Sequence, residues 1–200
     1  MGGFASLAAA GASIGRMLSI RFGERQPISD DKPTAVALMR TDDFAPAAFA
    51  LVASRPALTV FLYRVDSNRS MRAGWSAIGS YDGRSHLAVD LHFLLTAWAD
   101  SADEEHRILG RAMQAIEDTP ILSGPLLADA GDWAGNEALN LVLEDVATEA
   151  LVRLFDSLPV DYRLSIPYVA RMIRIDGTPA GQEPPVVTAE LVARPGAGSP

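Results

Sequence analysis

The stretch ALTVFLYRVDSNRSMR, Ala57–Arg72, is the most strand-like run of the chain and the part that decides its fold. Its alternate residues form two faces: one has Leu58, Val60, Leu62 and Arg64, and the other has Ala57, Thr59, Phe61, Tyr63 and Val65. Both faces are mostly apolar, which is typical of a central strand that is covered on both sides. The polar residues of Asp66–Ser70 predict a turn after it. The stretch carries no catalytic motif.

The composition fits one globular domain. The chain has 200 residues, of which 48% are hydrophobic and 21% are charged. Its formal net charge of −8 disfavours nucleic acid, which selects a basic surface. Because there is no cysteine, disulfides, thiolate catalysis and cysteine-ligated metals are excluded. Arginine supplies nearly all basic residues, Lys32 being the only lysine, and together with frequent alanine this indicates a GC-rich bacterial source.

The N-terminal segment Met1–Ile20 is apolar and carries no charge before Arg16. A helical repeat of three and four residues places these side chains on one narrow face: Phe4, Leu7, Gly11, Ile14 and Leu18. The segment is too short and too rich in small residues to be a convincing membrane span. We therefore expect residues 1–20 to be an N-terminal helical arm that is ordered by packing on the domain or on a partner.

Two short motifs in this segment indicate other functions. MGGFAS fits the N-myristoylation pattern, which requires a eukaryotic host. Gly11–Gly15, GASIG, fits the nucleophile elbow of hydrolases, but that motif requires a strand before the serine, and nothing before Gly11 has a strand pattern. A secretory signal would need basic residues before the apolar run, and none precede it. A helix is the favoured interpretation.

The rest of the chain alternates strand and helix patterns. Further strands are predicted at Thr34–Met39, His86–Trp98, Ala138–Leu143, Asp161–Asp176 and Val186–Ala193, and helices at Glu104–Asp118 and Glu144–Ser157, with a helical turn at Phe44–Val52 capped by Asp42 and Asp43. The connections are Phe22–Lys32, Ala73–Ser85 and Ile121–Asp132. Because Pro167 cannot donate to a ladder, we expect a bulge or a sheet edge there.

These elements predict an α/β (α+β) fold. One domain over residues 34–193 would contain a mixed, twisted sheet of about five or six strands with two or three helices packed on it. A flexible tail of residues 194–200 would follow it.

Three histidines, His86, His92 and His106, are candidates for chemistry. Asp90 and His92 lie two apart on one strand and share a face, where they could form an acid/base pair or half of a metal site. No third ligand has suitable spacing, so a hydrogen-bonded polar pair within the sheet is favoured. Zinc-protease, phosphate-loop and dinucleotide patterns are all missing. We therefore predict no catalytic residue, no metal site and no cofactor.

Three blocks of the sequence occur in a characteristic order and spacing: VFLYRVDSNRSMR (Val60–Arg72), LAVDLHFLLTAWADSADEEHRILGRAMQAI (Leu87–Ile116) and DYRLSIPYVARMIRID (Asp161–Asp176). Together they resemble the cap, or tail-terminator, proteins of phage-tail-like contractile injection systems, a family known by an N-terminal domain formerly of unknown function. The resemblance extends over Thr34–Asp176. The chain departs from it at Asp82–His86, where relatives tend to be rich in proline.

The resemblance implies a structural protein without catalysis, assembled in the bacterial cytoplasm. Such caps form a homohexameric ring on the distal end of the sheath and inner tube, stop polymerisation and couple the two tubes. The implied partners are further copies of the chain, the sheath protein, the inner tube protein and the tape-measure protein, with no nucleic acid and no membrane span. Another ring or connector protein of a phage-like tail, and a small enzyme using Asp90 and His92, remain alternatives.

We expect partner contacts in the segments that have no obvious place in a core: Met1–Ile20, Ala73–Ser85 and Val186–Pro200. The arginine-bearing turn after the central strand is a further candidate, although a solvated turn would have the same composition. The residues predicted to contact partners are Phe4, Leu7, Ile14, Leu18, Asn68, Arg69, Arg72, Trp75 and Tyr81.

Overall fold

One six-stranded sheet organises the part of the chain that the computed structural model describes, residues 3–45, 56–68, 85–133 and 135–177. The strands are β1 (Ala35–Met39), β2 (Ala57–Ser67), β3 (His86–Trp98), β4 (Ile121–Ser123), β5 (Ala138–Leu143) and β6 (Ser165–Asp176). Their order is β1-β2-β3-β6-β5-β4. β1 pairs parallel with β2, and every other pair is antiparallel. The prediction of a mixed sheet is confirmed.

In the described residues, three α-helices cover this sheet: α1 (Ser6–Glu24), α2 (Ala102–Asp118) and α3 (Thr148–Asp156). α2 begins at a side-chain cap, in which Ser101 Oγ accepts a hydrogen bond from the Glu104 backbone N–H at 3.3 Å. α3 is amphipathic and buries Leu151 and Phe155. Its first residue lies four positions after the predicted start at Glu144, because the chain between them is extended.

α1 packs on the sheet together with α2, as an integral part of the domain core. Ile14 is 1% exposed, Leu18 is 0% exposed, and both belong to the larger hydrophobic cluster. The helix also extends beyond the predicted end at Ile20, and Phe22, which was assigned to a loop, is 1% exposed inside it. Gly11 allows β1 to come close, since a Cβ there would lie 3.2 Å from Leu38 Cδ2. Of the two expected placements, packing on the domain or packing on a partner, the structure has the first: the apolar face of α1 packs on the sheet.

The opposite face of the sheet is covered by α3 and by a 3₁₀ turn at Thr41–Phe44. Phe44 meets the Phe61 ring edge-on at a centroid distance of 5.3 Å, and Phe155 lies in the same cluster. This face contains a buried polar pair, in which Trp98 Nε1–H donates to Thr59 Oγ1 at 2.9 Å. The hydroxyl of Thr59 in turn donates to the Thr96 carbonyl at 3.2 Å.

Two bulges interrupt the long strands near their middle. In β2, Tyr63 is an extra residue between the pairs Leu62–Phe93 and Arg64–His92. In β6, two residues lie opposite Asp90 of β3. A bulge turns adjacent side chains to one face. Arg64 therefore lies on the face of Tyr63, and the prediction that it shares the face of Leu58 was wrong.

Pro167 lies neither in a bulge nor on an edge strand. β6 is an inner strand between β3 and β5, and the bulge comes four residues later than Pro167, from Arg171 onward. The Pro167 carbonyl accepts from the Glu144 N–H at 3.0 Å, just where the β5 ladder ends at Leu143. A proline is tolerated there because the pairing with β5 ends at this position, so a backbone N–H of residue 167 would have almost no strand left to donate to.

Several boundaries differ from the sequence-based expectations. β4 lies inside the stretch Ile121–Asp132, which was assigned to an irregular connection. The 3₁₀ turn precedes most of the predicted helical turn at Phe44–Val52, whose residues from 46 onward lie outside the described part of the chain. The predicted strand Val186–Ala193 and the tail 194–200 also lie outside it.

Candidate functional site

In the described residues, β2, β3 and β6 form the end of the sheet at which β2 and β6 finish. Ser67 of β2 pairs with Val89 of β3, and His86 of β3 pairs with Asp176 of β6. β1 already ends at Met39, opposite Phe61, so it does not reach this region. We call the residues Val65–Asn68, Ser85–Val89 and Ile173–Gly177 the three-stranded end.

Two long segments of the chain start from the three-stranded end. The Asn68 N–H donates to the Ala88 carbonyl at 2.9 Å, and residues 69–84 join Asn68 to Ser85. The Gly177 N–H donates to the Ser85 carbonyl at 2.8 Å, and residues 178–200 follow Gly177. The segments predicted to contact partners, Ala73–Ser85 and Val186–Pro200, are therefore both attached to one end of the sheet.

Charged side chains fasten the strands of this end to each other. His86 Nδ1 lies 2.6 Å from Asp176 Oδ1, and Arg174 Nε lies 2.8 Å from the same oxygen. The side chains of His86 and Asp176 are both largely buried. The Asn68 amide donates to both carboxylate oxygens of Asp90, at 3.1 and 3.2 Å. These contacts bridge β2, β3 and β6, and they hold in place the residues from which the two segments leave.

A second polar group lies around His92 at the bulge of β2. The His92 side chain is 7% exposed, its Nδ1 lies 2.8 Å from Glu144 Oε2, and its Nε2 lies 3.3 Å from Asp66 Oδ2. Arg64 Nη2 donates to Glu144 Oε1 at 2.9 Å and lies 3.0 Å from the His92 ring. The carboxylate of Glu144 thus joins the connection between β5 and α3 to β2 and β3.

Tyr63 completes this group. Its hydroxyl donates to Glu144 Oε2 at 3.1 Å. Burial, followed by the negative charge of Glu144, raises the pKa of Tyr63 from 10.0 to about 12. The phenol is therefore protonated near neutral pH and serves as a hydrogen-bond donor.

The arrangement around His92 is that of a structural network. The predicted pair Asp90 and His92 does share one face and lines a hollow of about 370 Å³ with Asp66 and Ser67. The Asp90 carboxylate accepts from Asn68, however, while the His92 ring lies between Glu144 and Asp66. In the described residues, no group of three or more His, Asp or Glu side chains has an arrangement that could hold a metal ion.

The individual residues predicted to contact partners have different positions. Phe4 is 92% exposed at the start of α1, and Leu7 is partly buried against the core. Ile14 and Leu18 lie inside the domain and are not accessible to a partner, which corrects that prediction. Asn68 lies at the three-stranded end, where its amide donates to Asp90. The other four lie outside the described residues: Arg69, Arg72, Trp75 and Tyr81.

Sequence reasoning missed Glu144 and Tyr63 as members of the polar group. Glu144 is 52 positions from His92 and was assigned to the start of a helix. Tyr63 was assigned to an apolar strand face, because nothing in the alternation marks a bulge.

No described helix is long and apolar enough to cross a membrane.

A mixed sheet with helices on both faces makes the described part of the chain an α+β domain. It shares its fold with two solved structures. One is described as the sheath/tube terminator of an extracellular contractile injection system, PVC, in the extended state, with a TM-score of 0.54 and 16% identity. The other is described as the tube-terminating cap of the anti-feeding prophage, AFP, with a TM-score of 0.56 and 18% identity.

The alignments cover 96% and 92% of this chain, but only 65% and 60% of those chains. The sequence pattern of the Pvc16 N-terminal domain matches residues 10–189, and the chain belongs to this family. The expected resemblance to terminator proteins is confirmed. No curated protein matches the chain significantly in sequence.

Proposed function

We infer that this chain is a structural cap that ends the sheath and inner tube of a contractile injection system. The observation that carries this function is the alignment of nearly the whole chain, with the same fold, on two terminator structures. Membership of the Pvc16 N-terminal domain family supports it independently, since the match extends over residues 10–189. In this function the chain is not an enzyme, and the polar groups around His92 and Asp176 stabilise the sheet.

The three-stranded end is the surface that contacts the tube or sheath. Both long segments, 69–84 and 178–200, leave from it, so a partner bound there could meet both of them together with the strand ends. The buried contact between His86 and Asp176 keeps this end rigid, which lowers the ordering cost of binding. Asn68, Arg69 and Arg72 begin the first segment, and Trp75 and Tyr81 supply aromatic side chains that are favoured at protein interfaces.

The cap acts as a closed ring of identical copies, a homohexamer, and the ring is assembled in the bacterial cytoplasm. In a closed ring every copy makes the same contact with the next copy, so both lateral surfaces of each copy are occupied and no further subunit can add there. Its partners are further copies, the sheath protein, the inner tube protein and the tape-measure protein. Phe4 is the one large apolar side chain at the start of α1 that remains exposed for such contacts in the described residues.

Electron microscopy of particles from a strain that lacks this chain tests the function. We expect tubes of variable length without a cap, or no tubes, and restoration by the wild-type chain. Particles of normal length with attached caps would exclude the function. Particles that end normally but fail to join a head would indicate a connector instead.

Variants of the two segments test the contact surface separately. We expect that replacing residues 69–84 by a short Gly/Ser linker, or removing residues 178–200, prevents capping while the domain still folds. Thermal unfolding of each purified variant is the control for folding. If both variants cap particles as the wild type does, the three-stranded end is not the contact surface.

A further inference from the structure

The outer side of α1 and α2 carries a cavity that is lined by three arginines. Arg25 follows the last turn of α1, and Arg107 and Arg111 lie on α2. The cavity has a volume of about 570 Å³, and two glutamines complete its polar lining. No carboxylate is among the residues that line it, although the chain as a whole has a net charge of −8.

The three guanidinium groups differ in how firmly they are held. Arg111 is fixed by backbone carbonyls, since its Nη2 donates to Arg21 O at 2.8 Å and its Nε donates to Arg25 O at 3.4 Å. Arg107 pairs with Asp103 at 2.8 Å, and both side chains are exposed, so this pair contributes little. In the described part of the chain, no ion pair occupies Arg25. The cavity therefore presents cations that can bind carboxylates through paired hydrogen bonds.

The opposite side of the domain is acidic. α3 turns Leu151 and Phe155 toward the sheet and leaves an outer stripe at helical spacing, which consists of Glu149, Val152, Arg153 and Asp156. Asp145 and Asp161 are exposed on either side of this helix. This surface thus has four carboxylates and one arginine, Arg153. The neighbouring Arg163 does not neutralise them, because it is paired with Glu105 at 2.8 Å.

The two charged surfaces lie near the same end of the sheet, on opposite faces. α2 begins shortly after Trp98, the last residue of β3, and packs on the face of the larger cluster. Phe155 of α3 packs in one cluster with Trp98 on the other face. A closed ring needs two different, complementary patches on each copy, and these two meet that requirement.

We propose that the arginine cavity of one copy receives Glu149 and Asp156 of the next copy in the ring. The inference rests on the proposed function, because the partner is a second copy of this chain in a cap. The contact is electrostatic and lies at a partly solvated surface, so rising salt weakens it. The ring then uses the two faces of the sheet, and the three-stranded end remains available for the tube and sheath.

Charge reversal in a strain that lacks its own copy of the chain tests the contact. The basic reversal is Arg25→Glu with Arg107→Glu, and the acidic reversal is Glu149→Arg with Asp156→Arg. Arg111 is left unchanged because it holds the end of α1. We expect each reversal to reduce the fraction of particle ends with a cap ring by about tenfold or more, since like charges then face each other. The chain with all four changes should regain a fraction close to that of the wild type.

A control and the wild type separate the possible failures. Asp129→Arg changes an exposed charge on a 3₁₀ turn away from both patches and should cap normally. The proposed contact would be overturned, with the cap function intact, if the wild type capped particles and either reversal variant capped them equally well. A fourfold variant that does not recover the capped fraction would also overturn it. If only the basic reversal lowered the fraction of capped ends, the cavity would bind another protein, and the proposed contact between copies would be overturned. A wild-type chain that never caps particles would instead disprove the proposed function.

Discussion

Replacing Leu18 by alanine tests whether α1 belongs to the core of the domain in solution. Leu18 is 0% exposed and lies in the larger cluster, whereas Ile20, two residues further along the same helix, is 45% exposed. A buried leucine that becomes alanine costs about 3–5 kcal/mol of unfolding free energy, from lost transfer energy and the cavity left behind. A domain of this size loses about 2–4 °C of Tm per kcal/mol, so we expect Leu18→Ala to lower Tm by roughly 6–20 °C.

Ile20→Ala is the matched control. Its side chain is partly solvated, and alanine is the better helix former, so the change in unfolding free energy should stay within about 1 kcal/mol. Denaturant unfolding followed by circular dichroism measures both variants under identical conditions. If the two substitutions had equal and small effects, α1 would not be packed as described, and the alternative that this segment packs on a partner would be favoured.

Two further predictions concern the face covered by α3. Thr59→Val leaves the buried Trp98 N–H without its acceptor and should lower the unfolding free energy by about 1–3 kcal/mol, while the exposed Thr41→Val changes it little. Spectrophotometric titration should find Tyr63 ionising near pH 12, and Tyr63→Phe should remove that step. The folded state holds this phenol proton more tightly than the unfolded chain, so stability is complete below pH 10 and declines as the pH rises toward 12. Glu144→Gln should move the ionisation to lower pH without bringing it back to 10.0, since burial is the larger cause.

The long strands could be predicted because their alternation or apolar content is continuous. β3 and β5 have the predicted limits, His86–Trp98 and Ala138–Leu143, and β2 begins at the predicted Ala57. β3 and the first half of β2 are buried on two faces, so nearly every residue there contributes to the apolar signal. β4, by contrast, has three residues directly after a proline, which is too few to show a period of two.

The role of α1 could not be predicted from its own sequence. The apolar repeat located the helix, but a stripe of this kind fits a core and a partner equally well. What decided the outcome was the sheet face beneath it, which carries Val60 and Phe93 and would be exposed without α1. Since only tertiary packing supplies this information, Ile14 and Leu18 were assigned to an interface.

The polar group around His92 could be predicted only in part, for a related reason. Alternation correctly placed Asp90 and His92 on one face, because the strand is regular between them. Their partners depend on the bulge at Tyr63 and on Glu144, which is 52 positions away from His92. A bulge has no fixed residue signature, and pairing between distant segments requires the register of the sheet.

The distribution of polar groups divides the surface of the domain by function. Around His92 and Asp176 the polar side chains are engaged with each other, and those of His86, His92, Glu144 and Asp176 are largely buried, so they contribute rigidity. Arg25 and the stripe on α3 are exposed, and their opposite charges face outward on the two sides of the sheet. A ring protein needs lateral contacts that are specific but correctable during assembly, and exposed charges supply these better than apolar patches do. In the proposed ring the lateral contacts use the sheet faces, which leaves the three-stranded end, where the segments 69–84 and 178–200 begin, free for the polymer.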